Sequence, residues 1–165
     1  MMEKERYSIL FSSPTGNTKM LAEAIHDVLP QEECDYYGPC QEVDSNMLYI
    51  GFWTDKGNAD AVTLKLLETL KNKKIFLFGT AGFGVSEQYF QTILNNVKKS
   101  IGESNTVVGE YMCQGKMPQS GDRYVKMKAQ PDHMLNIDML IENFDHALTH
   151  PDENDLNKLK KKILG

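Results

Sequence analysis

A short segment near the start of the chain carries hydroxyl, amide and glycine residues in a pattern suited to binding an anion. Apolar residues of strand type, Tyr7–Phe11, precede it, and apolar residues at helical spacing follow it from Lys19. The segment is therefore predicted to be a strand-to-helix turn that aims backbone N–H groups and a helix dipole at one place. Neutral side-chain donors around a glycine would complete a phosphate site. The alternative is an ordinary helix N-cap made of small residues. The segment comprises Ser12, Ser13, Pro14, Thr15, Gly16, Asn17 and Thr18.

Two further glycine-containing loops follow apolar runs of strand type. Residues 47–53 and 74–79 are nearly continuous apolar runs, which is typical of strands buried on both faces of a parallel sheet. Ligands of such sheets bind outside the carboxyl ends of the strands, so we expect all three loops to share one edge. The later loops contain Trp53, Thr54, Asp55, Lys56 and Gly57, and then Thr80, Ala81, Gly82, Phe83 and Gly84.

The order of the predicted elements favours an α/β fold. Strands and helices alternate along the chain, which indicates a parallel sheet covered by helices on both faces. No internal repeat or linker is present, so residues 1–165 are expected to form a single domain. The predicted strands are 7–11, 34–37, 47–53, 74–79 and 106–113, and the predicted helices are 19–29, 59–70, 89–101, 134–148 and a lysine-rich one after Pro151.

Composition excludes several classes of function. The chain has 165 residues, 41% of them hydrophobic and 25% charged, and a net charge of −5, which disfavours non-specific binding to nucleic acid. No apolar run is long enough for a transmembrane helix, and the charged residues 1–6 do not resemble a signal peptide. Three cysteines without a C-x-x-C pair indicate free thiols in a reducing compartment, so we expect a cytoplasmic protein. The histidines and cysteines do not have zinc-type spacing, and no metal site is expected.

The three loops resemble those of the flavodoxin family. The segment 13–18 looks like the family's phosphate loop, and the segments 53–57 and 79–84 lie where the family has its two flavin-ring loops. The resemblance covers roughly residues 7–148. It implies a flavodoxin-like three-layer sandwich with a five-stranded parallel sheet of order 2-1-3-4-5, to which this chain adds a C-terminal helix.

The resemblance also implies FMN as the cofactor. Its phosphate would be held by the loop at Thr15 and its neighbours, with Trp53 bordering one face of the flavin ring and Phe83 the other. Core packing is the alternative for Trp53, because it ends a buried strand. A backbone carbonyl near Gly57 would accept a hydrogen bond from the half-reduced ring, since glycine tolerates either peptide orientation.

The function implied is that of an electron carrier. An FMN-binding flavodoxin of this kind would pass low-potential electrons from a reductase to an acceptor enzyme through its semiquinone and hydroquinone states. We expect a monomer that binds neither nucleic acid nor membrane.

Two alternatives remain open at this point. One is an FMN-dependent NAD(P)H:quinone or small-molecule reductase. The other is a binding module that has lost FMN, which Pro14 would favour because proline lacks an N–H group.

Two short stretches indicate a subgroup of the family, and a long loop is a candidate for contacts with the flavin or a partner. Residues 53–57 and 113–117 are similar to those of small stand-alone flavodoxin-like proteins of anaerobic bacteria, some of them associated with bilirubin reduction. A long loop with four cations, residues 114–130, follows the last predicted strand. We expect it to border the flavin or a partner, and a solvated loop without function is the alternative.

Overall fold

The computed structural model describes residues 6–14, 16–82, 87–115 and 151–164, which form a parallel sheet with helices on both faces. The predicted helix 134–148 and residues 116–130 of the long loop lie outside the described residues. The strands are β1 (Tyr7–Phe11), β2 (Cys34–Pro39), β3 (Met47–Asp55), β4 (Asn58–Ala59), β5 (Lys74–Ala81) and β6 (Thr106–Gln114). The described helices are α1 (Asn17–Val28), α2 (Ala61–Thr69), α3 (Glu87–Lys98) and α4 (Glu153–Leu164), with a 3₁₀ turn at Gln31–Glu33.

The sheet has the topology expected from the sequence. Its strand order is β2-β1-β3-β5-β6, and every neighbouring pair in that order is parallel. Counted over the five parallel strands alone, this is the order 2-1-3-4-5. The two-residue strand β4 lies off this path and pairs antiparallel with β3. The order reverses beside β1, which places the switch point of the sheet next to the first loop.

Two apolar cores lie on opposite faces of the sheet. On one face, Leu21 and Ile25 of α1 and Leu159 of α4 pack against Phe78. On the other face, α2 and α3 pack against strand residues including Phe52. The arrangement is therefore a three-layer sandwich, with α4 as the added C-terminal helix.

One connection departs from the predicted alternation of strands and helices. The seven residues 40–46, between β2 and β3, contain no helix. They must return from the carboxyl end of one strand to the amino end of the next, a distance of about 17 Å for a five-residue strand. A helix of seven residues would span only roughly 10 Å, whereas an extended segment reaches about 23 Å.

Glycines opposite large aromatic rings allow β3 and β5 to lie against each other in register. Gly51 pairs with Phe78, and the next residue along β3, Phe52, pairs with Gly79. A methyl group on either glycine would overlap the ring of its partner. Because successive side chains alternate between faces, the two fully buried rings cover glycines on opposite faces of the sheet.

Adding a methyl group at one of these glycines should destabilise the fold. We expect Gly79→Ala to lower the free energy of unfolding by about 1–3 kcal/mol, because the new Cβ overlaps the ring of Phe52. Urea denaturation of the purified variants measures the change. Gly102→Ala is the matched control, since its Cβ would meet only Asn105 Nδ2 at 3.8 Å. Equal midpoints for the two variants would contradict the proposed packing.

Candidate functional site

The first loop leaves β1 and turns directly into α1. The N–H of Ser12 donates to the Gly51 carbonyl at 3.1 Å, which continues the pairing of β1 with β3 by one residue. Ser13 Oγ accepts a hydrogen bond from the Lys19 N–H at 3.0 Å and so caps the first turn of the helix. Pro14 is exposed, and Thr15 lies outside the described residues.

The start of α1 fits an anion. Gly16 is the N-cap residue with φ +88°, and no atom of the described residues other than its chain neighbours lies within 4 Å of the position that its Cβ would take. The first i→i−4 bond of the helix is donated by the Met20 N–H, so the amides before it stand at the positive end of the dipole. The first turn contains no acidic side chain that would compensate this charge. Open space beside a glycine and an uncompensated helix terminus are what a phosphate group requires.

Thr18 fixes the helix to both central strands. Its hydroxyl donates to the Phe52 carbonyl at 3.0 Å and lies 3.1 Å from the Thr80 hydroxyl. Its methyl group Cγ2 lies 2.8 Å from the position of a Cβ on Gly51. Thr18 is fully buried, so its hydroxyl holds the loop in place and does not face the open side of the site.

The first predicted ring loop is a β-hairpin, which we call the ring hairpin (residues 53–60). Thr54 and Asp55 belong to β3 rather than to a loop, and they pair with β4. Lys56 and Gly57 form the two-residue turn with φ values of +53° and +81°. Positive φ at both positions is the signature of a type I′ turn, whose twist matches that of paired strands. Glycine takes this conformation readily and lysine only with strain, which is why the sequence signal for a hairpin was weak.

Asp60 anchors the base of the ring hairpin, and sequence reasoning missed it. Its backbone N–H donates to the Trp53 carbonyl at 3.0 Å, and its Oδ1 accepts from the Trp53 N–H at 3.2 Å. The same carboxylate caps α2 by accepting from the N–H and the hydroxyl of Thr63 at 3.1 and 2.8 Å. Asp60 is only 2% exposed, whereas Trp53 is half-buried at the rim. An aspartate before an apolar helical run is a common N-cap, and that signal could have identified it.

The second ring loop begins where β5 and β6 end. The Thr54 hydroxyl donates to the Thr80 carbonyl at 2.9 Å, which joins the ring hairpin to β5. The Gly115 N–H donates to the Ala81 carbonyl at 3.0 Å, and Gln114 Nε2 donates to the Gly82 carbonyl at 3.3 Å. Phe83 and Gly84 lie outside the described residues. The described parts of all three loops therefore meet at one edge of the sheet, as predicted.

The end of β6 also lies at this edge of the sheet, where Gly115 contacts the start of α1. A Cβ on Gly115 would lie 2.7 Å from Asn17 Nδ2, so the backbone here packs directly on the first residue of α1. Asn17 is buried in this contact. The chain that continues into residues 116–130 thus departs from the rim of the candidate site.

Comparison with known proteins agrees with this geometry. The model of the flavodoxin domain family matches residues 8–164. The chain belongs to the flavodoxin family. It is 37% identical over 171 residues to the flavodoxin-like domain-containing protein BilS of Clostridium symbiosum (strain WAL-14163), covering 92% of this chain and 90% of the relative. It is 34% identical over 157 residues to BilS of Clostridioides difficile (strain CD3), covering 90% of this chain and 88% of the relative.

A solved structure shows the same fold at low identity. The flavoprotein of Lactobacillus acidophilus NCFM, determined in complex with FMN, superimposes with a TM-score of 0.53 at 15% identity. The match covers 66% of this chain and 93% of that one. Fold and family together support a flavin-binding redox protein, and the family resemblance inferred from the sequence is confirmed.

The cysteines of this flavodoxin are free thiols of low reactivity. Cys40 lines a groove of about 600 Å³ between the first loop and Trp53, and burial raises its pKa to about 11. Burial also raises the pKa of the Cys34 and Cys113 thiols. A thiol is protonated below its pKa, so all three remain neutral near pH 7 and serve as small apolar groups.

Neither a metal cluster nor a membrane-spanning helix is present among the residues that the structure describes. Within residues 6–14, 16–82, 87–115 and 151–164, no three His, Cys, Asp or Glu side chains are grouped so that they could hold a metal ion. Over the same ranges, no helix combines the length and the apolar content needed to cross a membrane.

Removing the Thr18 hydroxyl should loosen the site without creating a cavity. We expect Thr18→Val to lower the free energy of unfolding by about 1–3 kcal/mol, because the buried Phe52 carbonyl and Thr80 hydroxyl lose a partner. Thermal or urea unfolding of the flavin-free protein measures this. Thr92→Val is the control, since the hydroxyl of the exposed Thr92 bonds only within its own helix, to the Gln88 carbonyl. A Thr18→Val protein as stable as the control would show that Thr18 does not hold the loop.

Proposed function

We propose that this flavodoxin binds FMN and carries electrons between a reductase and an acceptor enzyme. The observation that carries the proposal is the convergence of three loops at the switch edge of the sheet, with an uncompensated helix terminus among them. That terminus fits a phosphate monoester. The ring hairpin and the loop after β5 extend from adjacent strands and are joined by the bond from Thr54 to Thr80.

Each loop would have its own part in holding the cofactor. Ser13, Thr15, Gly16 and Asn17 would bind the phosphate group at the start of α1, where the Lys19 amide is already bonded to Ser13 Oγ. The ring would lie between the ring hairpin, including Trp53, and residues 80–84. The Lactobacillus acidophilus flavoprotein of the same fold is an FMN complex, which supports FMN over other phosphorylated ligands. The flavin would supply the redox chemistry, while the protein binds and orients it and sets its potential.

The charges near the ring hairpin favour a low reduction potential. The buried carboxylate of Asp60 bonds to the backbone at Trp53, whereas Asp55, two residues further along the strand, is exposed and its charge is screened by solvent. Negative charge beside a flavin opposes the addition of electrons, and burial strengthens the effect. Lys56 is exposed at the turn, where solvent and salt screen its charge.

The acidic balance of the chain supports a carrier that docks onto other proteins. A net charge of −5 favours association with basic surfaces of redox partners, and such steering raises the rate of encounter more than the affinity.

A visible spectrum of the purified protein, followed by stepwise reduction, tests the proposal. We expect a yellow protein with one FMN per chain that takes up its two electrons in two resolved steps when dithionite is added in portions. Colourless protein that does not take up added FMN would contradict the proposal and favour a binding module. Steady consumption of NADPH with a quinone, without any added reductase, would contradict the carrier role and favour a reductase.

A further inference from the structure

The turn of the ring hairpin is held by a side chain from a distant helix. Asn96, in α3, donates a hydrogen bond through Nδ2 to the Gly57 carbonyl at 2.9 Å. The two residues are 39 positions apart in the sequence, and Asn96 is half-buried. Nothing in the sequence pattern singles out this asparagine, because polar residues are common on the outer parts of amphipathic helices.

Packing alone does not determine which way the Gly57 carbonyl points. Gly57 has φ +81°, and among the described residues beyond its two chain neighbours no atom lies within 4 Å of the position that a Cβ would take. Glycine in open space can rotate its peptide groups at little steric cost. The bond from Asn96 is therefore the contact that commits this carbonyl to face α3 rather than the site.

The helix is well placed to act as this support. Ala59 of the ring hairpin is buried in the same core as Ile93 and Val97 of α3, and β4 packs directly against this helix close to the bond. Asn95, the neighbour of Asn96, is exposed and instead accepts a hydrogen bond from Gln91 of its own helix. Two adjacent asparagines thus have different surroundings, and only Asn96 contacts the hairpin turn.

We propose that Asn96 is a positioning residue of the flavin site, which holds the ring hairpin ready for the cofactor and keeps the Gly57 carbonyl from the flavin ring. The inference rests on the proposed FMN function. A preformed turn binds a ligand more tightly, because less backbone freedom is lost on binding. When an oxidised flavin gains one electron and one proton, its ring gains an N–H donor, and a carbonyl already bound to Asn96 is a poorer acceptor for it.

Substitution of Asn96 should therefore lower the affinity for oxidised FMN and raise the potential of the first one-electron step. We expect Asn96→Ala to bind oxidised FMN about two- to tenfold more weakly than the wild type, because the turn is no longer preformed. Its first one-electron step should become about two- to tenfold more favourable, because the Gly57 carbonyl is released; tenfold corresponds to about 59 mV. Fluorescence titration of the flavin-free protein gives the affinity, and a dithionite titration of the FMN-loaded protein against reference dyes gives the potential.

Asn95→Ala is the matched control and should leave both quantities unchanged. Asn96→Leu removes the donor but keeps four side-chain heavy atoms branched at Cγ, and it keeps the test valid if the alanine variant folds poorly. In the flavin-free protein, hydrogen exchange at the amides of residues 57–59 should be faster in Asn96→Leu than in the wild type, a readout that does not depend on the cofactor.

The outcomes separate this inference from the proposed function. If the wild type binds FMN and both Asn96 variants match Asn95→Ala in potential and affinity, the role of Asn96 is refuted while the electron carrier stands. If the exchange rates of the turn amides are equal in all variants, Asn96 does not hold the turn. If the wild type itself binds no FMN, the proposed function fails, and the inference fails with it.

Discussion

The buried side chain of Thr18 joins the start of α1 to the two central strands of the sheet. Its hydroxyl bonds to the carbonyl of Phe52 on β3 and to the hydroxyl of Thr80 on β5, and its methyl group lies over Gly51. A threonine in the first turn of α1 therefore sets the position of the helix terminus relative to both ring loops. In the proposed FMN site the helix terminus and the ring hairpin act on one ligand, and this contact would fix their relative positions.

The contact depends in turn on the small residues of the central strands. Gly51 leaves room for both the methyl group of Thr18 and the ring of Phe78, and Gly79 accommodates the ring of Phe52 on the opposite face. Larger residues at either position would force the rings, and then the helix, away from the sheet. The apolar core and the polar rim of the sheet thus belong to one packing arrangement. The positions of the polar residues at the rim depend on how the aromatic rings pack in the core.

Much of this organisation could be predicted from the sequence, because it depends on local patterns. Apolar runs located all five parallel strands within one or two residues of their observed ends, and the three loops were recognised from their residue types. What was missed depends on contacts between distant residues or on an unusual turn. The hairpin at Lys56 and Gly57 lacks the usual Asn-Gly signal, and Asn96 acts on a turn 39 residues away. The sequence also placed Thr18 among the ligands of the phosphate without indicating that its hydroxyl faces the sheet.

In the proposed FMN complex, the flavin phosphate lies where the start of α1 meets the ends of β1, β3 and β5. A titration of isotope-labelled, flavin-free protein with FMN, followed through its backbone amide NMR signals, tests this most directly. We expect the largest shifts at residues 12, 13, 15–18, 53–57 and 80–82, with the lysine-rich helix α4 essentially unaffected. Shifts concentrated on α4, or in the groove beside Cys40 with residues 16–18 unchanged, would contradict this placement.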